Sequence, residues 1–156
     1  MLKLDAIDHA ILGQLQKNGK LSNVDLAETI GLSESACLRR VKNLHEKEVI
    51  THYAAHLDAG AVGLPGTVFV RVSLEKQQEE RLGNFEAAVC KVPEVMECYL
   101  MGGDVDYMIR VVVSDAPDYE RVHNILTRLP GVDRVHSSFA LRTVLKRTRL
   151  PIAIPV

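Results

Sequence analysis

The sequence predicts an α+β protein in two parts, a helix-turn-helix unit followed by a β-α-β-β-α-β domain. Three observations predict this. Apolar residues recur at helical spacing up to about residue 50, the pattern changes to alternation from Leu64 onward, and the second half carries an internal echo. In the echo, Val92-Pro93-Glu94-Val95 and Leu129-Pro130-Gly131-Val132 each end a helix at a proline and begin a strand at a valine.

The elements follow in order. Leu4, Ile7, Ile11 and Leu15 make one stripe of an amphipathic first helix. Ser22 and Asp25 form an S-x-x-D start signal ahead of Leu26, Ala27 and Ile30, and Gly31 stands where a left-handed helix terminus needs it. Ser33 then caps a helix over 34–47 on which Leu38, Val41, Leu44 and His45 are expected to face the protein. Ser35, Arg39, Lys42, Asn43 and Glu46 are left outside. Arg39, Arg40, Lys42 and Lys47 within nine residues exceed what solubility requires, and such a face has the donors for phosphates and base edges. Val49–Leu57, rich in β-branched and small residues, is read as a short strand or wing.

In the second half Val68, Val70, Val72 and Leu74 alternate with Thr67, Phe69, Arg71 and Ser73 as a strand. Gln77–Val92 is helical, with Leu82, Phe85 and Val89 on one stripe. Val95–Met101 and Val105–Val113 are strands joined by Gly102-Gly103-Asp104. Pro117–Leu129 is a helix with Tyr119, Val122, Leu126 and Leu129 inward, and Val132–Leu145 is the last strand. Two helices on one face of such a sheet leave the other face to be covered. Phe69, Met108, Val112 and Phe139 are its expected apolar residues, which implies pairing with another subunit. Domain limits are placed at 1–58, a linker at 59–66, a second domain at 67–150 and a tail at 151–156.

Composition narrows the function. The chain of 156 residues is 47% hydrophobic and 25% charged, which is globular. No apolar run approaches the roughly 18 to 20 residues that span a bilayer, and the first five residues lack a signal-peptide core, so no membrane partner and a cytoplasmic location are expected. Residues 1–63 hold seven Lys/Arg against eight Asp/Glu, so any affinity for DNA rests on a local basic face presented twice by a dimer. Cys37, Cys90 and Cys98 have no metal-ligand spacing and are read as buried apolar thiols, and the six histidines show no H-x-x-H pattern. Neither a metal nor a cofactor is expected. Ser137 and Ser138 follow no nucleophile-elbow pattern. Arg142, Lys146, Arg147 and Arg149 are read as a solvated strand end.

Taken together, several strings in order resemble the Lrp/AsnC family, the leucine-responsive or feast/famine regulators, over essentially the whole chain. They are Leu4-Asp5-x-x-Asp8-x-x-Ile11-Leu12, LSNVDLAETIGLS, CLRRVKNL from Cys37 to Leu44, V-I-x-x-Y from Val49 to Tyr53, PEVMECYLM from Pro93 to Met101, and GDVDY from Gly103 to Tyr107. The resemblance implies a winged helix-turn-helix DNA-binding domain joined to a ferredoxin-like βαββαβ domain that dimerises, assembles further to tetramers or octamers, and binds a small effector, often an amino acid. Carried onto this chain, it implies Ser33, Ser35, Arg39, Arg40, Lys42 and Asn43 as the set facing double-stranded DNA. It also implies Met101, Gly102, Gly103, Asp104, Asp106 and Tyr107 at an effector site formed between neighbouring dimers. Glycine amides donating to an α-carboxylate and an aspartate accepting from an α-ammonium would read a zwitterion at both ends. On residue types alone, a plain hairpin turn whose aspartates cap backbone amides is an equal reading. Ser33-Glu34-Ser35-Ala36 and Glu48 depart from the family's usual S-P-S-P and glycine, and the first change bears on base preference. The alternative is an enzyme on the same architecture, similar to the decarboxylases that act on sirohaem, against which the intact basic helix speaks.

Overall fold

The computed structural model describes residues 3–75 and 78–152, so the expected helix start at Gln77 and the last four residues of the tail lie outside the described residues. The chain forms two compact units. One is His56–Val144; the other joins the residues up to Ala55 with the segment from Leu145 onward. That grouping differs from the expected limit at 150. Its visible tie is Gln16, whose side-chain oxygen accepts from the Leu150 amide at 2.6 Å and whose nitrogen donates to the Leu150 carbonyl at 3.4 Å.

The first unit contains α1 (Ala6–Leu15), α2 (Asn23–Ile30) and α3 (Glu34–Glu46). Each start is capped as its sequence demands. Asp5 accepts from the Asp8 amide at 2.8 Å while Asp8 accepts back from the Asp5 amide, which closes a capping box. Ser22 and Ser33 accept from the amides of Asp25 and Ala36. Gly31 ends α2 at φ 71°, a left-handed conformation that costs glycine nothing. Ile11, Leu26, Ala27, Cys37 and Leu44 form the core, with Leu4, Ile7, Leu15, Ile30 and Val41 packed around it.

Two expectations fail in this unit. Leu38 does not face the protein: it is 58% exposed, and Cys37, fully buried, takes its place. The inward stripe of α3 runs Cys37, Val41, Leu44, and one residue further on is about 100° around the helix. Nor is Val49–Leu57 a strand. Thr51–Leu57 is irregular and exposed, because an extended segment without a strand beside it has no ladder to join. Tyr53 anchors it instead, with its ring 5.4 Å from His45 and against Gly19, where a Cβ would come within 3.1 Å of the ring.

The second unit contains β1 (Gly66–Leu74), α4 (Glu79–Val89), β2 (Val95–Leu100), β3 (Tyr107–Val113), α5 (Ala116–Leu126) and β4 (Val132–Phe139). The sheet order is β2-β3-β1-β4 and every pairing is antiparallel, the ferredoxin-like arrangement of β-α-β-β-α-β. Val68, Val70, Val72, Ile109, Val111 and Val113 meet Phe85, Val89, Val122 and Leu126 of the helices in one core. At the end of the sheet Gly66 lies so close to Val113 that a Cβ would come within 2.7 Å of its side chain.

Strand β4 ends at Phe139 rather than 145. Val68 pairs with Phe139 and the Ala140 amide reaches the Thr67 carbonyl, so the partner strand runs out at Gly66. Phe139 also sits on the helix-covered face, not the open one: paired residues point to one side, Val68 points inward, and the Phe139 ring meets Tyr119 of α5 edge-on at 4.8 Å. The open face has Phe69, Met108 and Val112 as expected, joined by Tyr99 and by the Glu97–Arg110 ion pair at 2.7 Å.

Candidate nucleic-acid and effector interfaces

On α3 the stripe opposite Cys37 and Leu44 begins at the cap. Ser33 is committed to the Ala36 amide at 3.3 Å, so its hydroxyl is partly a structural group. Ser35 and Arg39 are exposed, Asn43 is half-buried, and Lys42 is open except for a 3.8 Å contact with Glu46 one turn on. Arg39, Arg40, Lys42, Asn43 and Glu46 line one shallow groove. An exposed pair at this distance contributes little and is readily exchanged for a phosphate.

Arg40 is the correction in this set. Its guanidinium is turned back onto α1, donating to Asp5 and to Asp8 at 2.8 Å each, and only 27% of its side chain is exposed. Asp8 is nearly buried, and an unpaired carboxylate there would be costly. The Asp8 amide and then the Arg40 guanidinium hold the Asp5 carboxyl below its usual range, and the two carboxylates raise Arg40 further. Arg40 therefore fixes α3 against α1 and is not a free donor.

One residue that sequence reading passed over belongs to this surface. Asn23, the first residue of α2, donates to the Glu34 carbonyl at 2.9 Å and ties the start of α2 to the start of α3. Asn23, Glu34, Ser35 and Leu38 line a second shallow groove. The signal for Asn23 was slight, an amide side chain following a capping serine.

In the second unit the β2–β3 connection splits between surface and scaffold. Met101, Gly102, Gly103 and Asp104 are exposed. Gly103 has φ 142°, a region nearly closed to other residues, whereas Gly102 needs no such freedom and has open space beside it. The loop is closed by the Met101 amide on the Asp106 carbonyl at 2.8 Å.

Asp106 and Tyr107 are corrections. Asp106 is 6% exposed and its carboxylate accepts from the Leu74 amide at 2.6 Å, at the end of β1. Tyr107 is 1% exposed, its ring 4.5 Å from Phe85 and its hydroxyl donating to Glu86 at 2.8 Å. Burial, then the neighbouring Glu86 carboxylate, raises its pKa strongly. Neither side chain is presented to a ligand from this position. Register explains Tyr107, since β3 alternates inward at Tyr107, Ile109, Val111 and Val113, while Asp106, just before the strand, is held by the Leu74 amide.

The thiols also divide. Cys37 is buried, Cys98 is half-buried with its pKa pushed up to about 11, chiefly by burial, and Cys90 is exposed, contrary to expectation. Among the described residues no group of three or more His, Cys, Asp or Glu is placed to hold a metal ion, and no helix is long and apolar enough to cross a membrane.

A helix-turn-helix with a basic outer stripe beside a ferredoxin-like domain with an open loop and an open sheet face defines a class: DNA-binding regulators with an appended ligand-binding domain. Residues 4–51 match the family described as winged helix-turn-helix DNA-binding, and residues 67–150 match the Lrp/AsnC ligand binding domain. The chain belongs to the Lrp/AsnC family. It is 45% identical over 153 residues to the Bkd operon transcriptional regulator of Pseudomonas aeruginosa, spanning 97% of this chain and all of that protein. It is 37% identical over 150 residues to the leucine-responsive regulatory protein of Salmonella typhimurium, spanning 96% and 92%. Among solved structures it resembles a transcriptional regulator from Neisseria meningitidis in complex with L-methionine, at 37% identity and a TM-score of 0.88 over 96% of this chain and 97% of that one. An AsnC family regulator from Agrobacterium tumefaciens is similar at 37% identity and a TM-score of 0.90, over 95% and 97%. The chain is thus a DNA-binding transcription regulator and not an enzyme, and the decarboxylase alternative falls.

Proposed function

We propose that this regulator grips duplex DNA with the outer stripe of α3 and is switched by a small amino acid at the β2–β3 loop. The carrying observation is the exposed set Ser35, Arg39 and Lys42 opposite a fully buried Cys37/Leu44 seam, which is how a helix enters a major groove while its back stays in the protein. Ser33 and Asn43 flank that set and Arg40 supports it. The effector set reduces to Met101, Gly102, Gly103 and Asp104, with Asp106 and Tyr107 as the scaffold beneath. One chain offers this loop to solvent as an open surface, so a neighbouring copy has to complete the site. L-methionine is the first ligand to try, because the similar Neisseria regulator binds it.

Assembly follows from the open sheet face. Phe69 is 42% exposed and Tyr99 55%, beside Met108 and Val112, and a second copy covering this face makes a homodimer able to present two α3 helices to two half-sites. Association of such dimers to tetramers or octamers, and residence in the cytoplasm where DNA is met, belong to the same reading.

The test is fluorescence anisotropy of a promoter duplex with and without L-methionine and the other amino acids. An effector coupled to DNA binding shifts affinity or assembly by about 5- to 150-fold, and Asp104→Ala removes that shift while leaving effector-free binding intact. An undiminished response in Asp104→Ala returns the loop to an ordinary hairpin.

A further inference from the structure

The α3 surface holds one side chain that phosphate binding does not explain. Leu38 is 58% exposed, and among the described residues it is the only large aliphatic group that α3 turns outward. Ser35, Leu38, Arg39 and Lys42 stand at i, i+3, i+4 and i+7, so the apolar group borders the donor stripe, one turn from Ser35 and from Lys42. A leucine there gains nothing from a phosphate. Its complement in a major groove is the C5-methyl of thymine, the one apolar feature that base edges show there.

The start of α3 is also placed to reach base edges. Glu34 lies one turn before Leu38 on the same ridge, and its carboxylate repels phosphates, so this end of the helix favours the groove floor over the backbone. The Asn23 bond to the Glu34 carbonyl holds that first turn against α2, and Asn23, Glu34, Ser35 and Leu38 line one groove. Lys42, near the far end, is left for the backbone.

We propose that Leu38 is a specificity-determining residue that packs on a thymine methyl in each half-site, so that the regulator prefers thymine at one fixed position per half-site. The inference rests on the reading of α3 as the DNA-binding helix. It divides the helix into a base-reading first half and a phosphate-binding second half.

The experiment uses the full-length protein and duplexes selected from a random pool, followed by replacement of each thymine by uracil, which removes only the C5-methyl. Wild type loses about fourfold in affinity at one position per half-site, the worth of roughly one buried methyl-sized group. Leu38→Ala binds thymine and uracil duplexes equally, with an unchanged salt slope, since no charge is altered. Full-strength binding of every uracil duplex by wild type overturns the inference without recourse to a variant. Retained discrimination in Leu38→Ala assigns the methyl contact elsewhere and overturns it too. If no duplex is bound at all, the DNA-binding reading itself fails, and this inference with it.

Discussion

The outer face of α3 and the β2–β3 loop are the two functional surfaces of this chain, and they divide in the same way for different reasons. On α3, Arg39 and Lys42 stay outside while Arg40, between them, turns back onto Asp5 and Asp8. In the loop, Met101–Asp104 stay outside while Asp106 and Tyr107 go into the sheet. On the helix the 3.6-residue period decides, while in the loop Tyr107 follows the strand's period of two and Asp106 follows the Leu74 amide. The comparison teaches that a polar string next to a site is only partly the site: some of its members hold the others in place.

Tyr107→Ala against Asp104→Ala gives the sharpest contrast. Removing a fully buried ring that packs on Phe85 and bonds Glu86 costs the second unit about 3–5 kcal/mol, whereas Asp104→Ala stays within about 0.5 kcal/mol. Urea unfolding of Asp104→Ala and Tyr107→Ala, followed by far-UV circular dichroism, measures both. Equal, small effects would put Tyr107 back among the surface residues.

The matching contrast in the first unit is smaller. Arg40→Ala leaves Asp8 nearly buried without its cation and lowers stability by about 1–3 kcal/mol, while Arg39→Ala is near neutral for folding. Asp5 adds a pH dependence of definite sign. Its pKa is lowered in the folded chain, so the stability it supplies is present above the ordinary carboxylate range and is lost as pH falls through the lowered value. Protection of the α1 amides, measured against the intrinsic exchange rate at each pH, should therefore fall below about pH 4, and less so in Arg40→Ala, where the lowering is partly gone already.

The smallest effect is expected at Glu48. It has φ 55° just past the end of α3, where its amide reaches the His45 carbonyl and the Val49 amide reaches Leu44. This is a left-handed helix terminus occupied by a residue with a Cβ. Glu48→Gly should stabilise the first unit by about 0.5–1 kcal/mol, the strain relieved less the backbone entropy that glycine adds to the unfolded chain. A lower melting temperature would contradict this.

Much of the architecture was legible because its signals are local. Caps at Ser22 and Ser33, the turn at Gly31 and the alternation Val68–Leu74 all depend on neighbours within a few residues, and the strand order follows from β-α-β-β-α-β topology. What escaped depends on distant partners. Arg40 is 32 residues from Asp8, so nothing beside it in sequence marks it as a scaffold residue. Asp106 answers an amide on β1, and the end of β4 is set by where β1 stops. Leu38 was misplaced by one position: Cys37 was not counted in the apolar stripe, and a helix read one residue out of phase turns the wrong side inward.

The central claim, that the outward members of the α3 string bind DNA and the inward member does not, is tested most directly by salt dependence. Affinity for a promoter duplex is measured from low to high salt for wild type, Arg39→Ala, Lys42→Ala and the double variant. If Arg39 and Lys42 each contact a phosphate, each replacement lowers the slope of log affinity against log salt by about 1, and the double variant lowers it by about 2 across all sequences. Affinity and slope unchanged in the double variant would contradict the account and remove α3 as the DNA-binding helix.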